Sequence, residues 1–429
     1  MLATEGQQQS GYLARLLKIE SGEWQCLSIA FIYFFLLLTG YFMLRPIRGA
    51  IAAADTQNLH WLYTATFATM LLLVPLFGYL VSNFKRRYFL PGIYLFFISN
   101  LLVFAWLFKD GMPDIWTQRV YYVWLSVFNL FVVSIFWSFM ADIFRAGQAR
   151  RLFGTIAAGG SLGAVFGPLI TSSVAGSIGE GGLMLSGASL LFAATIAAVW
   201  LGRHTESRAR TARAESVIGG SIWEGAQKVF NSKYLIFICL LMLAHNLTAT
   251  FLYNGLAYLV SEQIPEAGSA RTIFFSNLDL AVNLIAFVLQ FVLTSRIIAW
   301  LGMPKTMVLM PFLLAAGMLV IGSSMTLVLF ASVQVAQRSM NYGLIGPLKE
   351  MLFTVVDRAT KYKAKNFIDT VVYRGSDVTA SWIFKGLTVL GLSLSQIAML
   401  FIPVMGVWAV ISWNLGKMYE QRASERKLP

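Results

Sequence analysis

Charged residues inside apolar stretches are the first feature of this sequence that asks for chemistry. Arg45 and Arg48 stand in Leu44-Arg45-Pro46-Ile47-Arg48, and Arg338 precedes Lys349-Glu350 in a later run. Asp369, Arg374, Asp377 and Lys385 share one run; Asp279 with Asn283, and His245 with Asn246, occupy two others. Each charge costs roughly 2.5–3.5 kcal/mol at the centre of a bilayer on insertion scales. Four in one run would cost on the order of 10 kcal/mol facing lipid, so they must face protein or water. Arg374 and Asp377 are three apart, hence on one helix face, and can pair. Gly343 and Gly346-Pro347 predict a kink or unwound turn, which membranes tolerate where the backbone lines a cavity or packs on protein.

Within these runs Arg45, Arg48, Arg338, Lys349, Arg374 and Lys385 outnumber Asp279, Glu350, Asp369 and Asp377. If most face one cavity its potential is positive, and its occupant is a small anion. Arg45, Arg48, Arg338, Lys349 and Arg374 are therefore the candidate substrate-binding set. Asp279, Glu350, Asp369 and Asp377 are the candidates for coupling or gating. His245 reads as a hydrogen-bonded packing residue before a proton relay. The glycines Gly154, Gly159, Gly160, Gly163 and Gly167 read as close helix packing, since the basic and hydroxyl residues of a phosphate loop are missing. Cys26 and Cys239 lack CxxC spacing, so neither a metal site nor a disulfide framework is expected. No cofactor and no enzymatic activity are expected.

These residues need elements to hold them in a bilayer. The 429 residues are 57% hydrophobic and 12% charged, with a mean hydropathy of +0.68. A soluble chain carries about 25% charge; half of that cannot cover a water-facing surface. Apolar runs long enough to span lie near 25–47, 59–82, 88–108, 116–140, 152–176, 182–202, 234–260, 272–295, 306–322, 325–353, 366–390 and 392–414. About twelve spans of some 20–25 residues use up the chain and leave no soluble catalytic domain. Lys85-Arg86-Arg87, Arg145, Arg150, Arg151, Arg203 to Arg213, Arg296, Lys305 and Arg358 to Lys365 fall on one set of loops, while the other set is almost free of Lys and Arg. Basic loops stay cytoplasmic, so both termini are expected there, in a bacterial inner membrane, with lipids as neighbours. The net charge of +13 is thus a topology signal, not a nucleic-acid surface.

The polar connection 203–232 divides six spans from six. The expected organisation is a 1–24 cytoplasmic segment, a 25–202 half, the 203–232 linker, a 233–415 half and a 416–429 tail, in a monomer. An internal echo supports duplication: Ala149-Arg150-Arg151-Leu152-Phe153-Gly154-Thr155 is similar to Ala364-Lys365-Asn366-Phe367-Ile368-Asp369-Thr370, and Asp142 falls on Asp357. Two parallel six-helix halves around a midplane site are the major-facilitator arrangement. The expected fold is all-α, membrane-embedded and major-facilitator-like. The segment Gly78 to Arg87 also looks like that superfamily's loop motif, with Ser82 and Asn83 where an acid is usual.

Three segments together resemble the bacterial and plastid ATP/ADP translocase family. They are Leu44 to Arg48; Phe136-Trp137-Ser138-Phe139-Met140-Ala141-Asp142-Ile143 with Ala149 to Gly154; and Gly346-Pro347-Leu348-Lys349-Glu350-Met351 followed by Lys363 to Asp369. The resemblance implies nucleotide exchange of the ATP/ADP type, with Arg48 and Lys349 handling substrate. One departure is Leu125, where the family carries an acid. The function expected is a secondary carrier of an anionic solute working by alternating access. The rival is a proton-coupled exporter of another organic anion on the same fold, with Asp369, Asp377 and Asp279 taking protons. An ATP-hydrolysing pump is excluded because no Walker-type loop occurs.

Overall fold

The computed structural model describes residue 20 and residues 23–83, 86–144, 146–205, 222–265, 268–357, 360, 364–365 and 367–425. Most of the expected 1–24 segment and 203–232 linker lies outside the described residues. So do Lys85, Arg145, Arg358, Lys361 and Lys363, and the side chains of the Gly78 to Arg87 motif. Among the described residues there is no strand.

The first four spans are α1 (Trp24–Ala54), α2 (Leu59–Asn83), α3 (Arg86–Leu107) and α4 (Ile115–Ile143). A continuous helical stretch, Ala146–Thr205, follows and breaks at Gly179, whose φ of 64° only glycine adopts cheaply. It therefore holds two spans, α5 (146–178) and α6 (180–205). A nine-residue linker helix, Ile222–Phe230, precedes α7 (Lys233–Gln263). Next come α8 (269–301) and α9 (303–323), separated by Gly302 at φ 72°. The last spans are α10 (327–352), α11 (368–389) and α12 (Leu394–Glu425). Eight helical stretches are long and apolar enough to cross a membrane, and two of these are the double ones. The two spans that miss that threshold are α10, with Arg338, Lys349 and Glu350, and α11, with Asp369, Arg374, Asp377 and Lys385. Twelve spans result among the described residues; most keep their expected bounds within a few residues, but the first runs on to Ala54 and the last to Glu425, well past the expected 47 and 414.

Exposure is inverted relative to a soluble protein. Leu72, Trp106, Phe312 and Trp300 are all exposed, as helices solvated by lipid tails should be. The chain is a multi-pass membrane protein.

Two compact units can be described. The first gathers α1 as far as Arg45, the stretch Phe77–Gly111, and the chain from Leu125 through α6. Its tightest crossing is α1 against α5. A Cβ on Gly159 would sit 2.5 Å from the Phe31 carbonyl, one on Gly163 2.5 Å from the Phe35 carbonyl, and one on Gly167 2.7 Å from the Thr39 carbonyl. This is small-residue packing with backbones in contact. Gly154, expected to join that stripe, faces open space instead. At the basic ends of this unit Arg151 binds Glu20 and Glu23 at 2.9 and 3.0 Å. Burial opposes ionisation of Glu23, but hydrogen bonds from the Glu20 backbone, Arg151 and Gln148 outweigh it and hold the carboxyl below its usual range. Gly163→Ala is expected to lower the melting temperature and the yield of folded protein, because both facing atoms are backbone and cannot rotate away. Gly154→Ala is the control expected to change neither; size-exclusion profiles in detergent measure both.

The second unit holds Pro46–Leu76, Met112–Trp124 and everything from the linker helix onward. Its core lies between α7, α9 and α12, where Met303, Met307, Met310, Met318, Met405 and Trp408 are buried. Three of its helices depart from α-geometry through π-turns: Leu289–Leu293 in α8, Asn341–Ile345 in α10 and Ile368–Val372 in α11. Such turns are frequent at functional sites. The α10 turn sits just before Gly346-Pro347, where the sequence asked for an irregularity.

Candidate functional site

The site grows out of α1 beyond Pro46. The helix runs through the proline unbroken to Ala54, and Gly49 lets it seat on Phe275 of α8, where a Cβ would meet the ring at 2.6 Å. That seating fixes the direction of Arg48 on the preceding position. Its guanidinium carbon lies 3.8 Å from the ring centre of Tyr122 on α4 and 5.8 Å from that of Tyr253 on α7. Guanidinium stacking of this kind contributes ~0.5–2 kcal/mol and fixes the plane of the group. The hydroxyls of Tyr63, Tyr122 and Tyr253 gather beside it, with the Tyr63 and Tyr253 rings edge to face at 6.3 Å.

The same neighbourhood receives α11. Arg374 lies 3.7 Å from Asp377 one turn on, a long ion pair rather than a clasp. Thr250 of α7 donates to the Asp377 carboxylate, and Arg48 contributes to the field there. Arg48, Arg374 and Asp377, expected from sequence as members of one site, are therefore together. Arg374 keeps 30% of its side chain exposed, so its N–H groups can reach an occupant.

The other expected residues sit in separate arrangements. Lys349 binds Asp369 at 2.7 Å, with its ammonium 5.6 Å from the Tyr373 ring. The two π-turns bring these groups together, and Asn246 donates to the Tyr373 carbonyl at 2.9 Å. A small, partly open space of about 40 Å³ adjoins them, lined by His245, Asn341, Lys349, Tyr373 and Trp408 among others. Arg338 is bound to Asp279 at 2.6 Å, with side chains 13% and 5% exposed. Glu350 is exposed and bound to Lys365 at 2.6 Å. Arg45 belongs to the first unit and lies 5.5 Å from the Phe42 ring.

A further layer at the charge-poor ends of the helices escaped the sequence reading. Asp55 takes two hydrogen bonds from Arg119, at 2.6 and 3.2 Å, and one from Asn58 at 2.8 Å. Lys385 donates to Gln57 at 2.8 Å, and the Trp382 indole donates to Thr64 at 3.1 Å while packing on His60. The missed signal was Arg119, a cation at the start of a span on the charge-poor side that required an acid; Asp55 is on that side. The tyrosines carried no comparable signal.

Among the described residues no group of His, Cys, Asp and Glu could hold a metal ion. A pair of guanidiniums beside one carboxylate and a set of tyrosines has the donors to bind an anion. Twelve helical spans among the described residues, with charged groups held inside them, are the build of a membrane carrier.

Comparison with known proteins agrees. The sequence matches the Major Facilitator Superfamily over residues 28–356, and the chain belongs to that family of transporters. It is 21% identical over 351 residues to ADP,ATP carrier protein 1 of Chlamydia trachomatis serovar D, covering 71% of this chain and 66% of that protein. The chain thus spans just under two thirds of that relative's length. ADP,ATP carrier protein 1 of Chlamydia pneumoniae is likewise 21% identical, over 71% of this chain and 68% of its own. Among solved structures, the nucleoside transporter NupG superposes with a TM-score of 0.62 at 12% identity, over 94% of this chain and 99% of that one. A bacterial homologue of the iron transporter ferroportin superposes at 0.63 with 11% identity, over 94% and 99%. At such identities these two structures speak for the fold alone.

Proposed function

We propose that the protein is a secondary-active transporter of an anionic solute, working by alternating access of the halves 25–202 and 233–415. The first solutes to test are nucleotides, exchanged in the manner of ATP and ADP. The observation that carries the reading is the Arg48 guanidinium stacked on Tyr122 beside Arg374. A planar guanidinium grips phosphate or carboxylate through two parallel hydrogen bonds, and stacking sets its plane before the solute arrives. The similarity to ADP,ATP carriers supports the choice of nucleotides. The solute is assigned to Arg48 and Arg374, and coupling or gating to Asp377 beside them and to the paired acids Asp279, Asp369 and Glu350. The basic loops support a bacterial inner-membrane location with both termini inside.

The test is exchange in proteoliposomes. Labelled ATP should enter vesicles loaded with ADP and stay out of empty ones. A second reading, proton-coupled export of another organic anion, is favoured by Asp377, a carboxylate held between two guanidiniums. It expects uptake driven by a pH gradient into vesicles that contain no nucleotide. No transport of any nucleotide under either condition would remove the first reading.

A further inference from the structure

The helix that carries Arg374 is held differently from its neighbours. Over residues 373–389 of α11 the buried side chains are Ser376, Ala380 and Ser381, all of them small. Val372, Tyr373, Phe384 and Leu387 pack against the core only partly buried. By contrast α7 buries Leu235, Ile238, Phe251 and Leu256, and α12 buries Phe401 and Trp408. A helix with few buried apolar contacts belongs to the low-stability end of its domain.

What ties α11 to α7 is a polar seam. Asn246 donates to the Tyr373 carbonyl at 2.9 Å, Thr250 to the Asp377 carboxylate, and Asn254 to the Ser381 hydroxyl at 3.2 Å. The positions advance by four on both helices, so the two meet turn for turn along one face. Interhelical hydrogen bonds of this kind are individually weak even in a membrane. The seam is also incompletely satisfied. Asn254 Oδ1, His245 Nδ1 and Trp408 Nε1 are buried and have no hydrogen-bond partner among the described residues. His245 and Trp408 line the space of about 40 Å³ that Tyr373 also lines. Asn254 and Ser381 line a second space, of about 50 Å³, with Phe384 and Lys385. Unmade bonds raise the energy of this seating, which narrows the gap to any seating that makes them, and the two spaces give α11 room to move.

The same helix reaches every level of the site. Its base is the π-turn 368–372, where Asp369 holds Lys349. Above it stand Arg374 and Asp377. At its far end Trp382 donates to Thr64 and Lys385 to Gln57, joining the half 233–415 to the half 25–202.

We propose that α11 is the gate helix of the C-terminal half. It unseats from α7 about its π-turn while α7, α9 and α12 stay packed. Its motion ties solute contact at Arg374 to release of the Trp382–Thr64 and Lys385–Gln57 contacts. The gate takes its purpose from the carrier reading, but its motion is tested without a solute.

The experiment is hydrogen–deuterium exchange, read by mass spectrometry, on the full chain in lipid nanodiscs. Amides of 373–389 should exchange at least about tenfold faster than those of α7 and α12, through a local opening rather than global unfolding. Two variants should move α11 in opposite directions. Asn246→Leu removes the donor to Tyr373 and should speed exchange in α11 by about two- to tenfold, the range of one net hydrogen bond. Asn254→Leu with Ser381→Ala removes the unsatisfied acceptor together with both partners of its bond, and should slow exchange by a similar factor. Exchange in α7 and α12 should be unchanged in both, and either variant suffices if the other folds poorly. Wild-type α11 exchanging as slowly as α7 and α12 overturns the proposal. So does a variant effect spread evenly over the three helices, which is the mark of a merely structural seam. In proteoliposomes the slowed double variant should lose ATP/ADP turnover while its KM stays near wild type; turnover at the wild-type rate overturns the gate. If the wild type moves no nucleotide, the nucleotide reading falls and the exchange data alone decide the gate.

Discussion

Arg48→Gln should reduce transport by about 10- to 150-fold at matched expression, the loss expected from one charged hydrogen-bonding contact of ~1.5–3 kcal/mol. Arg374→Gln should do the same. Neither change should empty the membrane of protein. Arg48 is stacked on Tyr122, and Arg374 lies 3.7 Å from Asp377 with 30% of its side chain exposed. Removing Arg374 breaks only that long pair. Arg48→Lys should fall between, since lysine keeps the charge but loses both the planar stack and the bidentate grip. Uptake by proteoliposomes, normalised to reconstituted protein, measures all three. A structural role for these arginines expects the reverse: little protein in the membrane, and near wild-type transport from what inserts. Wild-type transport in both glutamine variants would end the anionic-site reading.

The fold was legible because a bilayer leaves few choices. Only a helix satisfies its own backbone in lipid, so run length and loop charge were enough to place twelve spans. Gly179 illustrates the limit: hydropathy saw two runs near 152–176 and 182–202, but nothing in it said that the break would be a single glycine inside an otherwise continuous helix.

The site was legible only in part, for a different reason. Intramembrane charge identifies residues that need a partner, without saying which partner. Arg374 and Asp377 could be paired from their spacing along one helix. Arg338 and Asp279 lie on different helices, and their union depends on how α8 and α10 cross. The tyrosines gave no signal because the residue is ordinary at membrane boundaries. Their role appears only when α1, α2, α4 and α7 are placed together. The π-turn in α10 was foreshadowed by Gly346-Pro347, whereas that in α11 had no such residue to announce it.

The Arg338–Asp279 pair should behave oppositely to Arg48. Beside the pair, Ser339 donates to the Val282 carbonyl at 3.2 Å; further along the same crossing Thr294 donates to the Gly343 carbonyl at 2.5 Å. A Cβ on Gly343 would sit 2.6 Å from Leu289, so α8 and α10 approach closely along the crossing that the pair joins. Asp279→Ala leaves a guanidinium only 13% exposed without its counter-charge, and breaking such a pair costs ~3–5 kcal/mol. Against a total stability of about 5–15 kcal/mol, that is enough to deplete the folded protein. The expected result is a sharp loss of monodisperse material in detergent. Combining Asp279→Asn with Arg338→Gln removes both charges, keeps similar volume and should recover much of the yield. The recovery is the coupling energy of the pair, read from a double-mutant cycle of melting temperatures. Transport by the recovered double variant then separates two roles. Activity near wild type makes the pair a brace between α8 and α10. A well-folded double variant that binds solute but no longer exchanges it makes Asp279 a coupling residue, because a brace that has been replaced should leave the cycle running.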